Sequence, residues 1–322
     1  MTVRLRDGIE IGLSDGLIVS CDADEPAGDV AVVSHAHGDH YPEGETTAVC
    51  SPLTADLATV RRGVPLRATE HPRITLLPAG HVAGSRAAVI DDPDGTRYLY
   101  TGDVCTRSRF YLEGFDPPAA DVLIIEATYG TPEYCFPDHD AVAAEIEDWL
   151  SDTQAPVVLF GYALGRAQKL QRLAVTAGRS RLFTTDAVLR VNEVVAEHLD
   201  VEFDARAYDD AVTLQDGDAL VLPMTSARIE WVEDLVTDAG AVTAGFSGWA
   251  VDTSFRFRGN YDATFPLSDH CDYRELRALV DAVDPEQVYT HHGAADVFAR
   301  ELTTAGYDAT ALKENQSTLG DF

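Results

Sequence analysis

The chain has 322 residues, 45% of them hydrophobic, which supports one large or two linked domains with a sizeable core and excludes a disordered chain. Acidic residues number 54 and basic residues 24, a formal net charge of −30, with only two lysines, Lys169 and Lys313. So large a charge repels itself in dilute salt and is screened as the Debye length falls to about 3 Å near 1 M, which reads as adaptation to a salty cytoplasm and speaks against a broad basic nucleic-acid face, though not against a locally positive site.

Short apolar runs dominate the first third. Residues 30–33, 74–77, 87–90, 98–101 and 122–125 read as buried strands bounded by Gly, Pro or Asp. Helical spacing begins at residues 140–150 and returns at 166–177, 187–199 and 229–239, with strands at 157–160, 219–222 and 241–246 between them. The chain closes on a helix at 273–283, a strand at 287–290 and a helix at 296–305, with Asp272 and Glu275 spaced as a capping box. A strand-rich part followed by alternating strand and helix gives an α/β class. No apolar run reaches the roughly 18 residues of a membrane helix, and the first twelve residues carry no apolar signal core, so the expected location is cytoplasmic with no membrane partner.

The five cysteines, Cys21, Cys50, Cys105, Cys135 and Cys271, form no C-x-x-C pair, which argues against a thiolate zinc site or a disulfide framework. The chemistry lies instead in Ser34-His35-Ala36-His37-Gly38-Asp39-His40, which follows the strand at 30–33. Three imidazoles and a carboxylate within six residues suit zinc and similar metals. Alternation sends His35 and His37 to one side, leaving Asp39 and His40 for a second centre. His81 follows the strand at 74–77 and Asp103 the strand at 98–101, where loops on a rigid sheet hold ligands. Asp22 ends another apolar run and suits the orienting of a ligand imidazole from behind.

These residues resemble the metallo-β-lactamase fold, which carries an early Asp, an H-x-H-x-D-H segment, a later Gly-His and a later Gly-Asp. Glu126-Ala127-Thr128-Tyr129-Gly130, Ser268-Asp269-His270-Cys271-Asp272-Tyr273 and Thr290-His291-His292-Gly293 resemble motifs A, B and C of its β-CASP nucleases. Residues 161–168 and 247–249 resemble segments of the same subfamily's inserted domain. The group most resembled is that of mRNA 3′-end-processing-factor-like proteins and DNA-ligase-associated exonucleases, in a haloarchaeal form.

The resemblance implies an αββα sandwich with an inserted β-CASP α/β domain: sandwich at 1–134, insertion at 135–245, sandwich again at 246–322. It implies two divalent ions, zinc or manganese. His35, His37 and His81 would hold one, Asp39, His40 and His292 the other, and Asp103 would bridge them. Asp39 would also serve the chemistry. The implied activity is hydrolysis of phosphodiester bonds in RNA or single-stranded DNA by a metal-activated hydroxide, with His270 supplying a proton and Glu126 holding it. The His at motif C favours RNA. Ser268 and Arg166 would touch substrate, with Arg256 and Arg258 as further phosphate contacts. A homodimer, a DNA ligase and an RNA-processing complex stay open as partners. The competing expectation is a metallohydrolase of small thioesters or lactones, which accounts for the histidine cluster but not for Glu126 or the motif around His270.

Overall fold

The computed structural model describes residues 2–209 and 211–313, and the side chain of Arg258 lies outside that description. The chain divides into two compact units. One runs from Met1 to Glu133 and resumes at His270; the other is Tyr134–Asp269.

The first unit is built on two six-stranded sheets. Thr2–Arg6, Gly8–Gly12 and Ile18–Cys21 form an antiparallel meander, extended in parallel by Val30–Val32, Thr46–Val49 and Leu66–Thr69. The second sheet runs in the order Ala309–Ala311, Gln287–His291, Val122–Glu126, Arg97–Tyr100, Arg86–Asp91, Ile74–Pro78. Period-two alternation splits its side chains between two cores. Ala88, Ile90, Tyr98, Tyr100 and Ile124 meet Ile9, Ile11, Val19 and Val32 of the first sheet. Ala87, Val89, Leu99, Leu123 and Ile125 face away, onto Leu276, Leu279, Val280 and Val283 of the helix Tyr273–Val283 and Phe298 and Leu302 of the helix Ala295–Thr304. Burial on both faces is why these strands read as unbroken apolar runs.

Asp272 caps Tyr273–Val283, accepting from Glu275 N at 2.9 Å while Glu275 accepts from Asp272 N at 2.8 Å. The helix Pro52–Arg62 lies in the strand-rich first third, between the apolar runs that mark strands. Its signals are local: Ser51 accepts from Thr54 N, proline follows at once, and Gly63 closes it at φ 73°.

The second unit carries one fully parallel sheet in the order Arg206–Ala207, Arg181–Thr184, Asp218–Pro223, Val157–Gly161, Val242–Phe246, Ala263–Phe265. The helices His139–Asp152, Arg166–Thr176, Asp186–His198, Glu230–Ala239 and Ser254–Gly259 connect it. The chain returns to the first unit at His270 rather than at 246, because Val242–Phe246 pairs with Val157–Gly161 and Ala263–Phe265 pairs beyond it. Apolar runs reveal strands but not the sheet that receives them. Among the described residues no helix is long and apolar enough to cross a membrane.

Candidate metal centre

The strands Arg97–Tyr100, Val122–Glu126 and Gln287–His291 run parallel, so the residues that follow them emerge at one sheet edge. Asp103, Glu126 and His292 come from that edge. His35, His37 and His40 arrive from the loop after Val30–Val32, and His81 from the loop after Ile74–Pro78. Glycine makes the approach feasible: a Cβ on Gly102, at φ 53°, would lie 2.5 Å from the Ser34 side chain.

Three imidazole nitrogens converge. His35 Nε2 and His37 Nδ1 are 3.0 Å apart, and His81 Nε2 is 3.2 Å from the same His37 Nδ1. Asp103 Oδ2 lies 3.5 Å from both His35 Nε2 and His81 Nε2. Ligands at about 2.0–2.1 Å around a tetrahedral zinc stand roughly 3.3 Å from one another, so this spacing fits a single ion. A second group also includes Asp103, with His40 Nε2 at 3.8 Å from Oδ2 and His292 Nδ1 at 4.0 Å from Oδ1. Asp103 is 6% exposed, and its Oδ1 is a buried acceptor with no hydrogen bond. An unsatisfied carboxylate oxygen between two sets of imidazoles fits a cation-binding site.

The tautomers follow from Asp22, which sits at φ 51° in the left-handed region. Its Oδ1 accepts from Ser34 N at 2.7 Å, and its Oδ2 accepts from the Tyr100 hydroxyl at 2.8 Å and from Ser34 Oγ. His40 Nδ1 is 2.9 Å from the same Oδ2 and therefore carries a proton, so Nε2 is the nitrogen turned toward Asp103. Ser34 Oγ gives its proton to Asp22, so it accepts from His35 Nδ1 at 2.9 Å, and His35 Nε2 is a lone pair. One carboxylate thus orients two imidazoles. The sequence pattern assigns no role to Ser34 or Tyr100; Ser34 alone carries a signal, standing next to His35.

Charges inside the site are strongly perturbed. Burial pushes His35 well down, aided by the surrounding imidazoles. Burial would lower His40 too, but Asp103, Asp22 and Asp39 outweigh it and raise it to about 10, so Nε2 also holds a proton that a bound cation would displace. Burial raises Asp103, against the pull of His40 and His270. Burial also works to raise Glu126, yet the adjacent His270 and the donors from Thr128 hold it at about 2. Its Oε1 accepts from His270 Nδ1 at 2.8 Å and from Val104 N at 3.1 Å, and its Oε2 accepts from Thr128 N at 3.0 Å. Arg107 Nη2 donates to the His270 carbonyl at 2.9 Å, a contact without a sequence signal.

The remaining candidates differ in exposure and in partners. Asp39 turns outward, its side chain 80% exposed and its Oδ2 3.8 Å from His40 Nε2; it joins none of the ligand groups. His291 is buried and stacks on Tyr100, with burial lowering it to about 3, whereas His292 is 47% exposed at φ 57°. Arg166 and Ser268 lie in the second unit and are buried there. Arg166 Nη2 bonds Asp269 Oδ2 at 2.8 Å and its Nη1 the Phe246 carbonyl at 3.1 Å, and Lys169 bonds the other Asp269 oxygen. Arg256 Nε donates to the Tyr261 carbonyl at 3.0 Å.

Residues 263–312 match the family model of the Zn-dependent metallo-hydrolase RNA specificity domain. A probable DNA ligase of Opitutus terrae is 33% identical over 303 residues, 89% of this chain and 29% of that protein. An RNase J-like protein of Methanocaldococcus jannaschii is 31% identical over 46% of this chain and 43% of its own length. The DNA cross-link repair protein SNM1 of Arabidopsis thaliana is 24% identical over 80% of this chain and 59% of its own. The chain thus spans less than two thirds of each of these relatives.

Proposed function

The chain belongs to the β-CASP branch of the metallo-β-lactamase fold, and from that premise we propose that it is a two-metal phosphodiesterase acting on single-stranded nucleic acid, with RNA favoured over DNA. The observation that carries the proposal is the position of Asp103, one carboxylate oxygen toward His35, His37 and His81 and the other toward His292, with the His270–Glu126 pair within reach of the same carboxylate.

His35, His37 and His81 would hold one ion, His40 and His292 the second, and Asp103 both; zinc suits this nitrogen-rich set, with manganese the alternative. Bound there, two divalent ions would supply charge neutralisation of the scissile phosphate and a water of lowered pKa as nucleophile. The protein's own residues do the rest. Asp22 holds Nδ1 of His40 directly and Nδ1 of His35 through Ser34, so that Nε2 of each is the nitrogen offered to a cation. Glu126, held ionised, keeps the proton on His270 Nδ1 and stabilises the imidazolium. His270 Nε2 then passes its proton to the leaving 3′ oxygen, giving a 5′-phosphate and a 3′-hydroxyl. Asp39, exposed beside His40, enters as an outer contact of the second site.

The name of the Opitutus relative supports a DNA ligase as partner, and that of the Methanocaldococcus relative supports RNA. Hydrolysis of small thioesters or lactones leaves the Glu126–His270 pair without a task. The test is a set of labelled single strands, RNA and DNA of equal sequence with 5′-phosphate or 5′-hydroxyl, incubated with zinc or manganese in molar KCl. Cleavage abolished by chelation and by Asp103→Ala is expected, with metal content falling in that variant. Full cleavage by metal-free protein or by Asp103→Ala would sink the two-metal proposal.

A further inference from the structure

Far along the sequence from the histidines, the second unit contains a cleft of about 810 Å³ lined by the helices Glu230–Ala239 and Ser254–Gly259 and by Phe160 and Tyr261. Its apolar wall is built tightly. Tyr261 is 6% exposed and packs against Phe160 and Phe255, with ring centroids at 5.6 and 5.8 Å. Glycine makes room for that ring: a Cβ on Gly259 would lie 2.0 Å from it, and one on Gly245 2.4 Å.

The other lining residues are of a different kind. Phe257 is 82% exposed, the most exposed large apolar side chain among those described. Arg256 stands beside it, one edge of its guanidinium anchored on the Tyr261 carbonyl. Arg228 also lines the cleft and lies close enough to the Tyr261 phenol to oppose the upward push of its burial. Glu233 and Asp262 line it too, but Asp262 Oδ2 is engaged by Thr243 N and Thr243 Oγ1, both at 2.8 Å.

An exposed phenyl ring costs free energy in water unless something covers it, and two guanidiniums beside it select what that is. A single strand offers both complements, a base face for the ring and phosphates for the arginines. The volume is of the size that holds such a ligand. The chain's −30 charge sharpens the choice. In dilute salt that field repels a polyanion, and in concentrated salt screening weakens arginine–phosphate attraction, whereas stacking on an aromatic ring survives both conditions.

We propose that this cleft is a contact site for single-stranded nucleic acid, in which Phe257 stacks on a base while Arg256 and Arg228 meet the flanking phosphates. It rests on the nuclease proposal and adds a grip on the strand formed wholly within the inserted unit.

The experiment uses the full chain freed of metal by a chelator, with a fluorescein-labelled single strand of about a dozen nucleotides, binding read by anisotropy at 0.2 M and 2 M KCl. Phe257→Ala should weaken binding at least fivefold at both salt concentrations, and Phe257→Trp should restore it. The thermal midpoint of each variant controls for folding, and sedimentation reads self-association. Binding by Phe257→Ala equal to that of the parent overturns the inference. So does a change in oligomeric state with strand binding unchanged, which would make the cleft a contact between copies of the chain. If the parent protein cleaves single strands with metal present and Phe257→Ala binds normally, this inference alone fails. If the parent neither binds nor cleaves, the nuclease proposal fails with it.

Discussion

His270 Nδ1 lies 2.8 Å from Glu126 Oε1, and the two residues stand 144 positions apart in sequence. The carboxylate is fully buried yet held ionised, because it also accepts from Val104 N and Thr128 N. A buried anion bonded to an imidazole fixes both its rotamer and its tautomer. His270→Ala should therefore leave metal content intact and lower the turnover rate about a hundredfold or more, and Glu126→Gln should lower it about tenfold to a hundredfold. Metal analysis beside single-turnover rates checks both. Loss of metal in His270→Ala would make His270 a ligand and end its proposed role as proton donor.

The neighbouring His291 and His292 should respond in opposite ways. His292→Ala removes the exposed imidazole 4.0 Å from Asp103 Oδ1 and should cost one ion and most of the turnover. His291→Ala empties a buried site stacked on Tyr100 and should cost about 2–4 kcal/mol of stability with both ions retained. Metal stoichiometry together with chemical denaturation distinguishes them, and the reverse pattern would place the ligand one residue earlier.

Glu275 offers a pH test away from the histidines. Burial raises its carboxyl to about 7, against the pull of Arg107 3.0 Å away. The folded state thus binds its proton more tightly than the unfolded state, whose pKa is near 4.3. That contribution is fully present below the unfolded value and is lost as pH rises through about 7. Glu275→Gln keeps an amide oxygen for the capping box but cannot titrate. Its thermal midpoint should fall less than the parent's between pH 5 and pH 8, and parallel curves would refute the assignment.

Salt should stabilise the chain. With a formal charge of −30 and two lysines, one of them buried against Asp269, exposed repulsion dominates the surface. The thermal midpoint should climb by many degrees between about 0.1 M and 2 M KCl. A flat midpoint would remove the salt-adapted reading of the composition.

Much of the site was legible because it is local. Ser34 to His40 concentrates four candidate ligands in one loop, and His81, Asp103 and His292 each follow an apolar strand. The exposure of Asp39 was not legible, since alternation along a turn does not say which side chain turns outward. Nor was the web around Asp22, because the Tyr100 hydroxyl reaches it only once the two sheets face one another. Arg166 carries the charge of a phosphate contact, but its burial beside Asp269 depends on tertiary packing. Charged and glycine residues dilute the apolar pattern of the strands Thr2–Arg6 and Gly8–Gly12, and the helix Pro52–Arg62 is marked by its caps rather than by a strong apolar run.

The strand Val122–Glu126 is flanked by Arg97–Tyr100 on one side and by Gln287–His291 on the other, and the whole of Tyr134–Asp269 lies between those two partners in sequence. On the ribosome, its open side therefore presents unpaired amides and carbonyls while more than a hundred further residues are made. Parallel edges left bare in this way are sites of aberrant pairing between nascent chains. A chain interrupted within the inserted unit would lack His270 and His292 and would also keep that adhesive edge, so premature termination should yield insoluble fragments rather than a soluble, inactive half.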